Sequence, residues 1–201
     1  MKIGDLIHCA DLPCADVNHE CYVIPNVDVQ PEHVSIVLIS EAAPQNPADD
    51  YYAPGNPLFG QTTVQAFRDA GAAVSSLEDI LDLGVYLTTA VKCGKMGYGI
   101  STATIKQCSH LLEQELAPFQ HVKAWLLMGD VAIKAVNAIA ARTGEPRVIP
   151  TGSTYKIRGG TYTFRGGRAF PSYLQAGPSF FIEKSKRQMI AQDIAAALAL
   201  R

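Results

Sequence analysis

The residues of this 201-residue chain best suited to chemistry by type and spacing are its five cysteines, Cys9, Cys14, Cys21, Cys93 and Cys108. Thiolates ligate soft metals, and an odd count leaves one thiol over in any all-disulfide scheme. The first twenty residues hold Asp5, His8, Asp11 and Asp16 and no long apolar stretch, which argues against a secretory leader. The cysteines therefore read as metal ligands or buried thiols rather than as disulfides. A second feature is charge placement. Residues 1–150 carry nine Lys/Arg against seventeen Asp/Glu, a net of −8, and residues 151–201 carry eight against two, a net of +6. A basic end on an acidic body suggests a surface for phosphates, with a solvated face as the plainer alternative.

These residues must be positioned by elements. Residues 34–40 form an apolar, β-branched run of buried parallel-strand type. A polar, Pro- and Gly-broken loop follows to Gly60, then a helix over 62–70 that Gly71 can close. Residues 85–89 read as a second strand and 91–99 as a loop. Thr102–Leu116 reads as a helix with Ile105, Cys108, Leu112 and Leu116 near one face. Ala124–Met128 reads as a third strand. A helix over 131–141 has Asp130 as its expected N-cap. Residues 155–157 and 162–164 suggest a hairpin around Gly159-Gly160, and 183–200 an Ala-rich helix. Alternating strands and helices predict a three-layer α/β/α fold with a short, mostly parallel central sheet, in a single domain over 1–201. Ligands of such sheets bind at the carboxyl ends of strands. Attention therefore falls on 41–44, 88–93 and 129–130.

Composition bounds the rest. Hydrophobic residues make up 48% and charged residues 18% of the chain, which suits a packed core and excludes disorder. No apolar run reaches the roughly 18 residues of a membrane span. A cytoplasmic monomer is expected, with no membrane association.

The motifs Leu38-Ile-Ser-Glu-Ala-Ala-Pro44, Asn56-Pro-Leu-Phe-Gly60, Val85-Tyr-Leu-Thr-Thr-Ala-Val-Lys-Cys93, Cys108 and Leu127-Met-Gly-Asp-Val-Ala-Ile-Lys134 come in an order that resembles the uracil-DNA glycosylase superfamily. The resemblance is to its iron–sulfur branch, with this chain a divergent member. It covers residues 34–137 well and the C-terminal part loosely. It implies the superfamily's fold, DNA as partner and a structural [4Fe–4S] cluster. Cys93 and Cys108 match the later ligand pair. Cys9 and Cys14 are the expected earlier pair, with Cys21 a possible substitute. Zinc on the same thiols stays open. By the same resemblance, Glu41 faces the pocket, while Asp49 and Asp50 are candidates to orient a water. Phe59, with Leu58 as alternative, would stack on an extruded base. Lys184, Lys186 and Arg187 would meet DNA phosphates.

Two positions depart from that pattern. Thr89 stands where the family usually carries Asn, and one hydroxyl cannot replace an amide's donor–acceptor pair. Phe170 stands where it carries His, so Ser172, Tyr173 and Gln175 are the polar candidates nearby, Ser172 for base binding. Three functions follow in order: a glycosylase acting on uracil or another modified base, a catalytically impaired nucleic-acid- or nucleotide-binding protein, and an unrelated α/β enzyme.

Overall fold

A computed structural model describes residues 1–5 and 7–201. Among them six strands make one sheet in the order β1-β3-β2-β4-β6-β5. The strands are β1 (Val17–Asn18), β2 (Ile36–Ala43), β3 (Val85–Lys95), β4 (Ala124–Met128), β5 (Tyr162–Phe164) and β6 (Gly167–Ser172). The four central strands are parallel, and the short edges β1 and β5 are antiparallel. The helices are α1 (Leu58–Asp69), α2 (Leu77–Asp82), α3 (Thr102–Leu116), α4 (Asp130–Arg142), the short α5 (Thr154–Ile157) and α6 (Ser179–Ile182), and α7 (Lys184–Leu198).

Strand alternation sets the layers. Val37, Ile39, Tyr86, Trp125 and Leu127 face a core built with α3, α4 and the N-terminal segment. Ile36, Leu38, Leu87, Leu126 and Met128 face a second core with α1, α2 and α7. Both sides of each central strand are thus covered, which is why these strands read as continuous apolar runs. The three-layer α/β/α architecture is the expected one.

Several local expectations give way. β2 continues through Glu41 to Ala43, and β3 runs to Lys95 where a loop was expected. The reason is their mutual pairing, which supplies backbone partners that local polarity cannot reveal. The 44–60 stretch is not wholly irregular: it holds a 3-10 turn, Pro47–Asp49, and α1 already starts at Leu58. Gly71 closes α1, donating its N–H to Arg68 O. Gly129, not Asp130, caps α4; Asp130 is its first helical residue and pairs with Lys134. The hairpin is formed by β5 and β6 around Arg165-Gly166, while 154–157 is a helical turn. Phe170-Pro171-Ser172 lies within β6. Helix α2 was not expected from periodicity, although Ser76 and Asp79 form a reciprocal capping box at its start.

The ladder between β2 and β3 breaks at its carboxyl end. Ala42 faces Val91, but Ala43 faces Gly94, so Lys92 and Cys93 bulge from the register. Such a bulge re-aims side chains beside a site. Here it sends Lys92 into the interior and Cys93 toward the N-terminal segment.

Candidate active site and thiol cavity

Glu41 ends the regular part of β2. Its Oε2 accepts a hydrogen bond from Lys95 Nζ at 3.0 Å, tying the ends of β2 and β3. Its side chain lies over Gly129, where any Cβ would come within 2.6 Å of the carboxylate. Gly129 also has φ of +100°, so glycine is required there both for space and for backbone. Next along the chain, Asp49 is half-buried in its 3-10 turn, and Asp50 is 7% exposed. Burial pushes the Asp50 carboxyl up from its ordinary value, against the Tyr52 N–H and the field of Lys92. Asp50 Oδ1 accepts the Tyr52 N–H at 3.3 Å. Half-buried Phe59, at the start of α1, sets its ring edge-on to Tyr51 at 5.5 Å.

Tyr51 links this loop to the sheet. Its hydroxyl is hydrogen-bonded to Ser40 Oγ and accepts from Gln175 Nε2 at 2.7 Å. Gln175 also donates to Thr63 Oγ1 at 3.2 Å. Ser40 is the register partner of Thr89 across β2 and β3. Asp50, Tyr51, Ser40 and Thr89 are thus contiguous, and Gln175 reaches the same spot from beyond β6. Thr89 is 3% exposed, and its carbonyl accepts from Lys92 Nζ at 2.5 Å.

Lys92 is fully buried, as is its ion-pair partner Glu115 of α3. Glu115 Oε1 accepts from Tyr86 OH at 2.8 Å and Thr88 Oγ1 at 2.6 Å. Two charges removed from water persist only with such a complete set of partners. The sequence reading missed this pair. A signal was present: Glu115 shares the buried face of α3 with Cys108 and Leu112, at spacings of seven and three.

The remaining expected residues lie apart. Ser172 is buried and donates to Asp193 Oδ2 at 2.6 Å. Asp193 is also held by Arg158 at 2.8 Å. Phe170 is buried in β6 with the Arg168 guanidinium 4.8 Å from its ring centre. On α7, Lys184 is exposed. Lys186 pairs with Glu183 and lies 5.5 Å over Tyr173. Arg187 is engaged by Asp69 of α1, through NH2 at 2.8 Å and through Nε, and packs on Phe180.

On the α3 face of the sheet, Cys9, Cys14, Cys93 and Cys108 line one cavity of about 140 Å³, with His19, His110 and Tyr22. All five cysteines are free thiols. Cys108 Sγ accepts the Lys92 N–H at 3.2 Å, and Cys93 Sγ stands 3.3 Å from His19 Nδ1. Burial first, then the fields of Cys108, Cys9, Cys14 and Cys21, push the Cys93 thiol up to about 12. Cys21 is outside the lining. It donates to Gln45 O at 3.1 Å and packs beneath Gly94, where a Cβ would come within 2.7 Å of its own. Four thiols about one cavity are the donor set of a cysteine-bound iron–sulfur cluster. Among the described residues no three His, Cys, Asp or Glu side chains converge as ligands of a single ion.

Comparison with known families adds one match. The model described as "Uracil DNA glycosylase superfamily" covers residues 27–192. No curated protein sequence matches the chain.

Proposed function

The chain belongs to the uracil DNA glycosylase superfamily, and from that premise we propose that it hydrolyses the N-glycosidic bond of a uracil or other modified base extruded from DNA. The observation that carries this reading is Asp50, a buried carboxyl contiguous through Tyr51 and Ser40 with the strand ends. Burial raises its proton affinity, which suits a general base near neutral pH.

In this mechanism the bond between the sugar C1′ and the base nitrogen breaks, and its electron pair leaves with the base. A water oxygen bonds to C1′, and Asp50 takes the proton of that water. Asp49 assists in orienting the water. Glu41, held by Lys95, balances the positive charge that develops on the sugar. Phe59 stacks on the base, and the leaving base is protonated on release. Thr89 has one hydroxyl where reading the uracil edge in two places takes an amide. The site is therefore suited to a broader class of altered bases than uracil alone.

Cys9, Cys14, Cys93 and Cys108 would hold a [4Fe–4S] cluster, which supplies a structural clamp and no step of the hydrolysis. The four thiols line one cavity, and zinc bound by the same residues is the alternative. Iron, acid-labile sulfide and zinc per chain, measured on protein purified without oxygen, test this directly. Abasic-site formation is then assayed on duplexes carrying uracil, hypoxanthine or an oxidised base. Product on at least one duplex is expected.

A second reading keeps DNA binding and drops the chemistry. It is favoured by the Ser40–Tyr51–Gln175–Thr63 network, which packs polar side chains against the strand ends, and by Phe170 in place of a histidine. Cluster-loaded protein that binds these duplexes yet releases no base would replace the first reading with this one.

A further inference from the structure

Helices α3 and α4 each begin where a parallel strand ends, β3 and β4. Their first turns therefore stand at the carboxyl edge of the sheet that also carries Glu41 and Gly129. An open groove of about 350 Å³ runs from the first turns of α3 along the middle and later turns of α4. Thr102, Ile105 and Lys106 of α3 line one wall, and Lys134 and Asn137 of α4 the other, with Arg147 beyond. Among the described residues lining the groove, three are cationic and none is acidic. Lys106, Lys134 and Arg147 are all exposed.

The groove is braced. Asn137 Nδ2 donates to Ile149 O, and Ile149 N donates to Asn137 Oδ1, at 3.0 and 2.9 Å. Arg147 Nε donates to the same carbonyl at 2.9 Å. The 147–149 segment is thus pinned to α4, and Arg147 is held at the groove by its own Nε. Lys134 reaches Asp130 one turn earlier at 2.5 Å. That pair is exposed, and such i,i+4 pairs are weak in water, so a phosphate can compete for the ammonium. Ile105 is buried beneath the groove, so the cationic side chains are its accessible binding groups.

We propose that this groove is a DNA backbone track, in which Lys106, Lys134 and Arg147 hold phosphates flanking the nucleotide presented at the sheet edge. The inference rests on DNA being the substrate. It is a different surface from the C-terminal one assigned from the sequence, where Arg187 is engaged by Asp69 of α1. Three cations drawn from α3, α4 and the chain after α4 make no run in the sequence, so only the fold unites them.

The test is fluorescence anisotropy of the purified holoprotein with a labelled 20-base-pair duplex carrying one central uracil, at several salt concentrations. The Lys106→Gln/Arg147→Gln double variant is compared with Lys123→Gln, which removes a cation where β4 begins, at the opposite edge. The double variant is expected to bind roughly ten-fold more weakly at low salt. The slope of log affinity on log salt should shrink by about 1.8, from about 0.9 for each of two phosphates no longer neutralised. Lys123→Gln should match the parent. If the parent binds and the double variant keeps its affinity and slope, the track is wrong while the DNA reading stands. If the parent itself fails to bind at low salt, the DNA reading falls and the track with it. Coincident thermal melts of variant and parent confirm that folding is unaffected.

Discussion

Asp50 is the residue on which the proposed chemistry turns. Its burial penalises the carboxylate, so the folded state holds this proton more tightly than the unfolded chain does. By linkage, ionised Asp50 costs stability above its raised folded value, and that cost is absent below the ordinary carboxylate range. Asp50→Asn should therefore melt at the parent's temperature or higher at pH 7, while base release falls by ~100-fold or more. In the parent, the rate should decline as pH falls through the raised value, above the usual ~4 of an aspartate. The groups facing Asp50 include the Lys92 ammonium, the Tyr51 and Tyr52 hydroxyls and the backbone N–H groups of Tyr51 and Tyr52. An unchanged rate in Asp50→Asn would remove this residue from the mechanism. Lys92 makes a different kind of demand. Lys92→Met leaves Glu115 charged, buried and without its partner, and should cost about 3–5 kcal/mol in urea denaturation. The Lys92→Met/Glu115→Leu double variant should lose much less, because no orphan charge remains. Equal losses in the two variants would show that packing, not charge, governs the site.

Between elements, the contact of α7 with α1 joins charge to packing. The Arg187 guanidinium beside Asp69 holds that carboxyl below its usual range, and the same side chain covers Phe180. A lowered folded value contributes stability above the unfolded value, which is lost as pH falls through the folded one. Both partners are partly exposed, so the ionic part is small. Arg187→Gln should cost about 0.5–1 kcal/mol at pH 7, and the gap to the parent should narrow as pH is lowered from about 4. A gap that does not narrow would assign the whole effect to packing on Phe180. The β2–β3 bulge acts at the same scale. By turning Lys92 inward and Cys93 toward the N-terminal segment, it puts the candidate base site and the thiol cavity on opposite sides of one strand end. The Lys92 N–H on Cys108 and its Nζ on the Thr89 carbonyl join the two.

Across the whole molecule, the first 33 residues stand out. Among the described residues 1–5 and 7–33 there are two residues of strand and three 3-10 turns, with β1 pairing along the end of β3. Their other ties include Val23 N–H to Lys92 O at 2.8 Å and Asp16 accepting the Ser101 N–H at 2.7 Å. The segment follows an irregular path and is held largely by buried side chains such as Ile3, Ile7, Val17 and Ile24. A cluster joining Cys9 and Cys14 to Cys93 and Cys108 would be a further anchor. Removing bound iron with chelator under oxidation should expose this segment to limited proteolysis and leave the sheet's circular dichroism in place. Loss of both together would mean that the metal supports the entire fold. No helix among the described residues is long and apolar enough to cross a membrane.

The sequence alone determined the layer architecture, the three inner strands 34–40, 85–89 and 124–128, helix α3, and four cysteines as one candidate ligand set. The elements are carried by local periodicity, because burial on both faces of a parallel strand writes itself as an uninterrupted apolar run; the choice of four cysteines is what the resemblance to the superfamily's iron–sulfur branch implies. The ordered motifs also pointed to the superfamily that the family comparison then showed. What the sequence left open was settled by contacts between distant segments. Cys21 is the substitute for Cys9 or Cys14 by spacing, and its packing under Gly94 and its hydrogen bond to Gln45 place it outside the cavity lining. Ser172 reads as a free polar group until Asp193 arrives from α7. Lys92 stands in the sequence only as part of the Val-Lys-Cys motif, and a two-residue bulge and Glu115 draw it inside. Each depends on where another chain segment supplies a partner or excludes water, a condition that pairing and packing impose and that no local spacing encodes.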